Sequence, residues 1–104
     1  MASPMRIRAT DDGGVIDVKV LMRHAMETGL RKDSEGKVIP AWYIETVQAK
    51  VGDKVVFTAL FGPAVSKDPF LNFKLNGSAK KGDTIAITWK DNKGESRTDD
   101  TTVK

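Results

Sequence analysis

The sequence predicts an all-β domain, an immunoglobulin-like or fibronectin-like antiparallel sandwich of about seven strands. Three observations predict it. Apolar residues alternate with polar ones in several short runs, the signature of strands with one buried face. Turn residues punctuate those runs at regular spacing, as in Asp11-Asp12-Gly13-Gly14, Gly52-Asp53 and Asp91-Asn92-Lys93-Gly94. No stretch has the 3.6-residue apolar period of a helix, which removes parallel α/β folds and leaves a partly open barrel as the alternative architecture.

Taken in order, Arg6-Ile7-Arg8-Ala9 reads as a short edge strand, its one large apolar residue flanked by charge. Residues 11–14 form a turn. In the next strand Ile16, Val18, Val20 and Met22 share one face, and Asp17, Lys19 and Arg23 the other. Residues 23–40 make a long connection, too long for a simple hairpin, and read as a projecting loop or β-ribbon. Its turn chemistry lies in Lys32–Lys37, where Asp33 and Gly36 suit a type I turn followed by a left-handed glycine. Leu30 and Val38-Ile39 flank that turn in position to pair, and Pro40, lacking an amide donor, ends the ribbon.

Trp42 to Val51 is rich in aromatic and β-branched residues. Either Tyr43, Val47, Ala49 and Val51 share its inner face with Glu45 interrupting, or a bulge brings Trp42 and Ile44 onto that face. Lys54 to Phe61 places Val55, Phe57, Ala59 and Phe61 on one side, and Pro63 to Pro69 is a loop or single helical turn. Leu71, Phe73 and Leu75 point inward in the following strand, as do Ile85, Ile87 and Trp89 in the one after. Glu95 to Val103 returns as a polar edge strand.

The 104 residues suit a single domain, 1–104, with 39% hydrophobic and 30% charged residues. No apolar run approaches the roughly 20 residues of a membrane-spanning helix. The start of the chain lacks the apolar core of a secretion signal, which by itself points to the cytoplasm or to travel with a partner. There is no cysteine, so disulfides, thiolate metal sites and a cysteine nucleophile are excluded. The net charge of +3 is scattered, without the basic stripe and stacking aromatics of a nucleic-acid interface.

His24 is the only imidazole. Catalysis or zinc binding would need helpers that the sequence lacks, and a structural hydrogen bond accounts for it more simply. Met22 and Met26 bracket it, so a copper or haem site of thioether and imidazole is a second reading, with methionine as core filling the plainer one. Gly13-Gly14 is no phosphate loop. Spacing alone supports no catalytic residue, no metal site and no cofactor.

The run His24-Ala25-Met26-Glu27-Thr28-Gly29-Leu30-Arg31-Lys32-Asp33, continuing through Gly36-Lys37 to Ile39-Pro40, resembles the signature of the Z-subunit family of the bacterial sulfur-oxidation (Sox) carrier complex. That family runs His-Pro-Met-Glu-Thr-Gly-x-Arg-x-Asp, then a turn glycine, then Ile-Pro. Phe57 to Phe61, Ser66 to Leu71 and Ile87 to Gly94 extend the resemblance over most of the chain. Ala25 stands where the family commonly has proline, which leaves the loop less rigid.

The resemblance implies an immunoglobulin-like sandwich and a non-catalytic role. It implies pairing, as a heterodimer, with a SoxY-type subunit whose C-terminal cysteine arm carries sulfur intermediates in thiosulfate oxidation, and transient docking to other Sox enzymes. It implies export to the periplasm with that partner, which reconciles the missing signal. Under it, Arg23, His24, Met26, Glu27, Thr28, Gly29, Arg31, Lys32 and Asp33 are the candidate partner-binding residues, with Arg23, Arg31 and Lys32 placed to offset negative charge. The isolated chain is expected to self-associate if an apolar interface is left bare. The alternatives are a small-molecule or metal-binding sandwich using His24 and the methionines, and a general adhesion or interaction module.

Overall fold

The structure, a computed structural model, describes residues 3–104. Seven strands form in chain order: β1 (Arg6–Asp12), β2 (Val15–Leu21), β3 (Ile44–Val51), β4 (Lys54–Leu60), β5 (Phe70–Asn76), β6 (Thr84–Asp91) and β7 (Ser96–Thr102). They make two antiparallel sheets, ordered β1-β2-β5 and β4-β3-β6-β7. The sheets pack as a sandwich because period-two alternation gives each strand one apolar face. Ile16, Val18 and Val20 from β2 meet Ile44, Val47, Ile85, Ile87 and Trp89 from the other sheet, all at or near zero exposure.

The two open sides of the sandwich are closed differently. Between β4 and β5 the rings of Phe57 and Phe73 stack at 4.0 Å, nearly parallel. Between β1 and β7, the C-terminal Lys104 donates its amide to Ala9 O and accepts from Asp11 N, while Met5 N donates to the Asp99 carboxylate at 2.9 Å. Arg97 grips the same carboxylate at 2.9 Å and, ahead of burial, holds Asp99 below the usual carboxylate range.

Bulges settle what alternation alone left open. Along β3 the register against β6 shifts between Ile44 and Thr46, so Ile44, Val47 and Ala49 face the core and Glu45 is exposed. The bulge therefore brings Ile44 inward, while Trp42 remains half-buried at the edge of the core. A second shift, between Ala49 and Lys50 against β4, leaves Val56 unpaired and turns Val55 outward, 44% exposed. Val56 rather than Val55 joins Phe57, Ala59 and Phe61 against the core. β1 also runs further than the sequence suggests, taking in Asp11 and Asp12, with Asp11 still accepting from Gly14 N at 2.9 Å. Residues 63–69 form turns without a helix.

Residues 22–43 cross from β2 in one sheet to β3 in the other, and the ribbon lies within them. Nothing from residue 27 to 41 is buried. The molecule measures 53 × 22 × 20 Å, whereas strands of seven or eight residues span about 25 Å. The ribbon thus extends the long axis.

Two substitutions check the inward and outward assignments by urea unfolding. Ile87→Ala, in the closed core, is expected to cost about 2–5 kcal/mol. Val55→Thr, outward at the bulge, is expected to stay within about 0.5 kcal/mol.

Candidate functional site

The site is built where two strands run on past their ladders. Burial alternates through β2 and beyond it, at Ile16, Val18, Val20, Met22, His24 and Met26. The ladder continues irregularly: Met22 N donates to Pro69 O, His24 N donates to Asp68 Oδ1 at 3.0 Å, and Asp68 N donates back to His24 O at 2.9 Å. In β6 the inward phase runs through Ile85, Ile87 and Trp89 and reaches Asp91. Each inward series therefore carries a polar residue at or near its end, His24 in one and Asp91 in the other. The two meet in the interior, His24 Nε2 lying 3.1 Å from Asp91 Oδ2.

Asp91 is 3% exposed and its carboxylate is fully engaged. Oδ2 accepts from His24 Nε2 and from Trp42 Nε1 at 2.8 Å; Oδ1 accepts from the amides of Lys93 at 3.0 Å and Glu95 at 2.8 Å. Burial, the largest single influence, pushes this carboxyl up, but the bonds from His24, Trp42, Glu95 and Lys93 together outweigh it and hold the group below the usual range. One buried charge thus ties the β6–β7 turn to the two roots of the ribbon.

His24 is 6% exposed and has both ring nitrogens in use. Met26 N donates to Nδ1 at 3.1 Å, so the hydrogen sits on Nε2 and points to Asp91. Its ring lies between two indoles, 4.9 Å from Trp42 and edge-on at 5.2 Å to Trp89. Among the described residues Trp89 Nε1 has no hydrogen-bond partner, and the imidazole is the ring's aromatic neighbour. Lys93 covers the Trp42 ring at 4.5 Å, a cation–π contact.

Met26 is buried with φ of 51°, a left-handed conformation that costs an ordinary residue about 1–2 kcal/mol. That conformation sets its thioether beside the β3 bulge, where Ile44 N donates to Sδ at 3.3 Å. Imidazole and thioether are therefore both committed to the protein's own donors and acceptors. Among the described residues no group of three or more His, Asp or Glu could hold a metal ion.

Beyond this base the chain pairs with itself. Glu27 and Trp42 exchange two backbone bonds of 2.6 and 3.0 Å; further out Ile39 N donates to Arg31 O and Asp33 N to Lys37 O, both at 2.8 Å. Pairing thus spans both sides of Pro40, which interrupts the ribbon and does not end it. Gly29 (φ 84°) faces Ala41, and a Cβ there would stand 3.1 Å from the alanine methyl. At the tip Asp33 Oδ1 accepts from Glu35 N and Lys37 N, and Gly36 (φ 80°) closes the turn in the conformation its sequence requires.

The candidate residues divide by position. His24 and Met26 are interior. Glu27 is bound in a fork by Arg31 at 2.7 and 3.2 Å, which lowers the Glu27 pKa. Arg23, Thr28, Lys32 and Asp33 are exposed; Arg23 lies 3.7 Å from Asp68, and Thr28 Oγ1 accepts from Leu30 N. Hollows open between the ribbon base and residues 67–68, lined by Arg23, Ala25, Trp42, Thr28, Arg31 and Lys67 among others. Asp91, Trp42 and Asp68 are the residues that sequence reasoning passed over. Continuing the period of β6 by one step would have placed a carboxylate inside and demanded partners for it.

A family model described as "Sulphur oxidation protein SoxZ" matches residues 5–102. The chain belongs to the SoxZ family. It is accordingly a subunit of the sulfur-oxidation (Sox) system. Among curated proteins no sequence match is found. A superoxide reductase (neelaredoxin) from Archaeoglobus fulgidus has a similar structure, with a TM-score of 0.55 and 19% identity over 95% of this chain and 84% of that one. At that identity the likeness concerns the β-sandwich alone. The SoxZ-family motif read from the sequence, residues 24–40, coincides with the buried base and the projecting ribbon.

Two measurements test the base. Because the folded pKa of Asp91 is depressed, its stabilising contribution is complete above the unfolded value near 4 and is lost as pH falls through the folded value. Asp91→Asn is expected to lower stability at pH 7 by about 1–3 kcal/mol and to make the acid limb of stability shallower. Met26→Leu keeps the volume but leaves Ile44 N without its acceptor, for an expected loss of about 1–2 kcal/mol in chemical denaturation.

Proposed function

We propose that this chain is the non-catalytic subunit of a SoxYZ-type sulfur-carrier complex. It scaffolds a SoxY-type subunit whose C-terminal cysteine arm carries the sulfur intermediates of thiosulfate oxidation, and it helps to dock the enzymes that act on that arm. The observation that carries the reading is the coincidence between the family motif and the ribbon. The residues on which the resemblance rests are those that leave the body, pair with each other and stay exposed, while His24 and Met26 anchor them from below.

The chemistry of the chain supports this reading. Both nitrogens of the single imidazole are bound within the fold, so His24 has no free base to offer a substrate. The absence of cysteine suits a neighbour of a covalent sulfur carrier, since a second thiol would invite disulfide exchange. A periplasmic location, reached by export with the partner, belongs to the same proposal.

Co-expression with a SoxY-type protein and native mass spectrometry of the purified product test it. A stable one-to-one heterodimer is expected; chains that remain separate at micromolar concentration overturn the reading. Arg31→Ala then locates the ribbon: a loss of about tenfold in heterodimer affinity sets it against the carrier subunit, and an unchanged affinity assigns it to the client enzymes.

A further inference from the structure

The outer face of the three-stranded sheet carries a second surface. Alternation in β1, β2 and β5 turns Ile7, Ala9, Val18, Val20, Leu71 and Phe73 inward, and the registers then align what is left outside. Arg6, Leu21 and Phe70 form one cross-strand row; Arg8, Lys19 and Asn72 form the next. Phe70 is 62% exposed, at the edge of its sheet.

Two features of this face run against what folding alone favours. Arg8 and Lys19 stand directly opposite each other, and like charges in that position destabilise a strand pair. Among the described residues neither Arg6 nor Arg8 has a carboxylate partner, and Lys19 has only Asp17 at 3.8 Å, which already accepts from the Asn72 amide at 2.7 Å. The three cations border a shallow groove of about 280 Å³ floored by Leu21 and Phe70. Arg6 also shares a neighbouring hollow with Arg23, which carries the positive edge toward the ribbon base.

We propose that this face docks an acidic segment of another protein that carries a bulky apolar side chain. The cations match carboxylates, the apolar floor matches the side chain between them, and a bound acidic segment turns the repulsion of Arg8 and Lys19 into attraction. A single aromatic with an apolar floor offers no succession of stacking platforms for a nucleic acid. The surface is distinct from the ribbon, and its test runs on the isolated chain, whether or not that chain pairs with a SoxY-type subunit.

The test is a fluorescence-anisotropy titration of the full chain with a labelled, capped peptide of alternating glutamate and leucine. The same peptide with glutamine for glutamate, a single-stranded oligonucleotide and phosphatidylglycerol vesicles are run beside it. Saturable binding of the acidic peptide is expected, weakening at about 0.3 M salt and absent for the glutamine version. Arg8→Glu and Phe70→Ser are each expected to reduce it about tenfold, while Phe70→Leu retains it. Arg8→Thr is expected to weaken binding yet raise the melting temperature by about 1–4 °C, which separates lost docking from lost folding. The proposal is overturned if the acidic peptide does not bind, if the Arg8 and Phe70 variants bind it as the parent does, or if only the oligonucleotide or the vesicles bind.

Discussion

The carboxylate of Asp91 is the constraint on which the working end of this molecule depends. A buried charge is tolerated only when hydrogen bonds replace the water it has lost. Here four donors from three separate segments do so, and each segment is positioned by doing it. The amides of Lys93 and Glu95 shape the β6–β7 turn. The imidazole of His24 and the indole of Trp42 bring together the outgoing and returning roots of the ribbon. Removing the charge would loosen all three together, whereas a wholly apolar core would give the ribbon no fixed angle of departure.

Above that base the ribbon follows from local chemistry. An isolated pair of short strands is marginal in water, and this one has few continuous ladder bonds. Its order comes from the Asp33 carboxylate at the tip, from the Glu27–Arg31 fork on one strand, and from three backbone positions of positive φ, Met26, Gly29 and Gly36. Gly29 permits close approach to Ala41. Met26 adopts the same handedness without being glycine, and its burial and the Ile44 amide at its sulfur offset the strain. The outcome is a stiff root and an exposed tip, the distribution expected of an element that another molecule reads.

The outer face of the β1-β2-β5 sheet expresses a different balance. Its cations gain nothing from one another, and its exposed phenylalanine gains nothing from water. Such a face is tolerable because each contribution is small and the core beneath it is closed. Ribbon base and sheet face adjoin through Arg6 and Arg23, so the two surfaces occupy one end of an elongated body.

Alternation in Ile16 to Met22 and Ile85 to Trp89, together with the turns at Asp33–Gly36 and Asp91–Gly94, was enough to read an antiparallel sandwich with a projecting ribbon. These are local properties: side-chain period and turn chemistry depend on neighbours within a few residues. The same motif run also led to the family. What alternation left undecided was decided by pairing between distant strands. The bulges that bring Ile44 inward and turn Val55 outward arise from register against β6 and β4, which no single strand encodes. Pairing across Pro40 needed the Glu27–Trp42 exchange, made by residues 15 apart. The sequence by itself determined the strands, the turn at the ribbon tip and the family to which the chain belongs. Only the tertiary structure decided that His24 and Asp91, 67 residues apart, share one buried hydrogen bond, because a buried polar group is satisfied by whatever the fold brings to it.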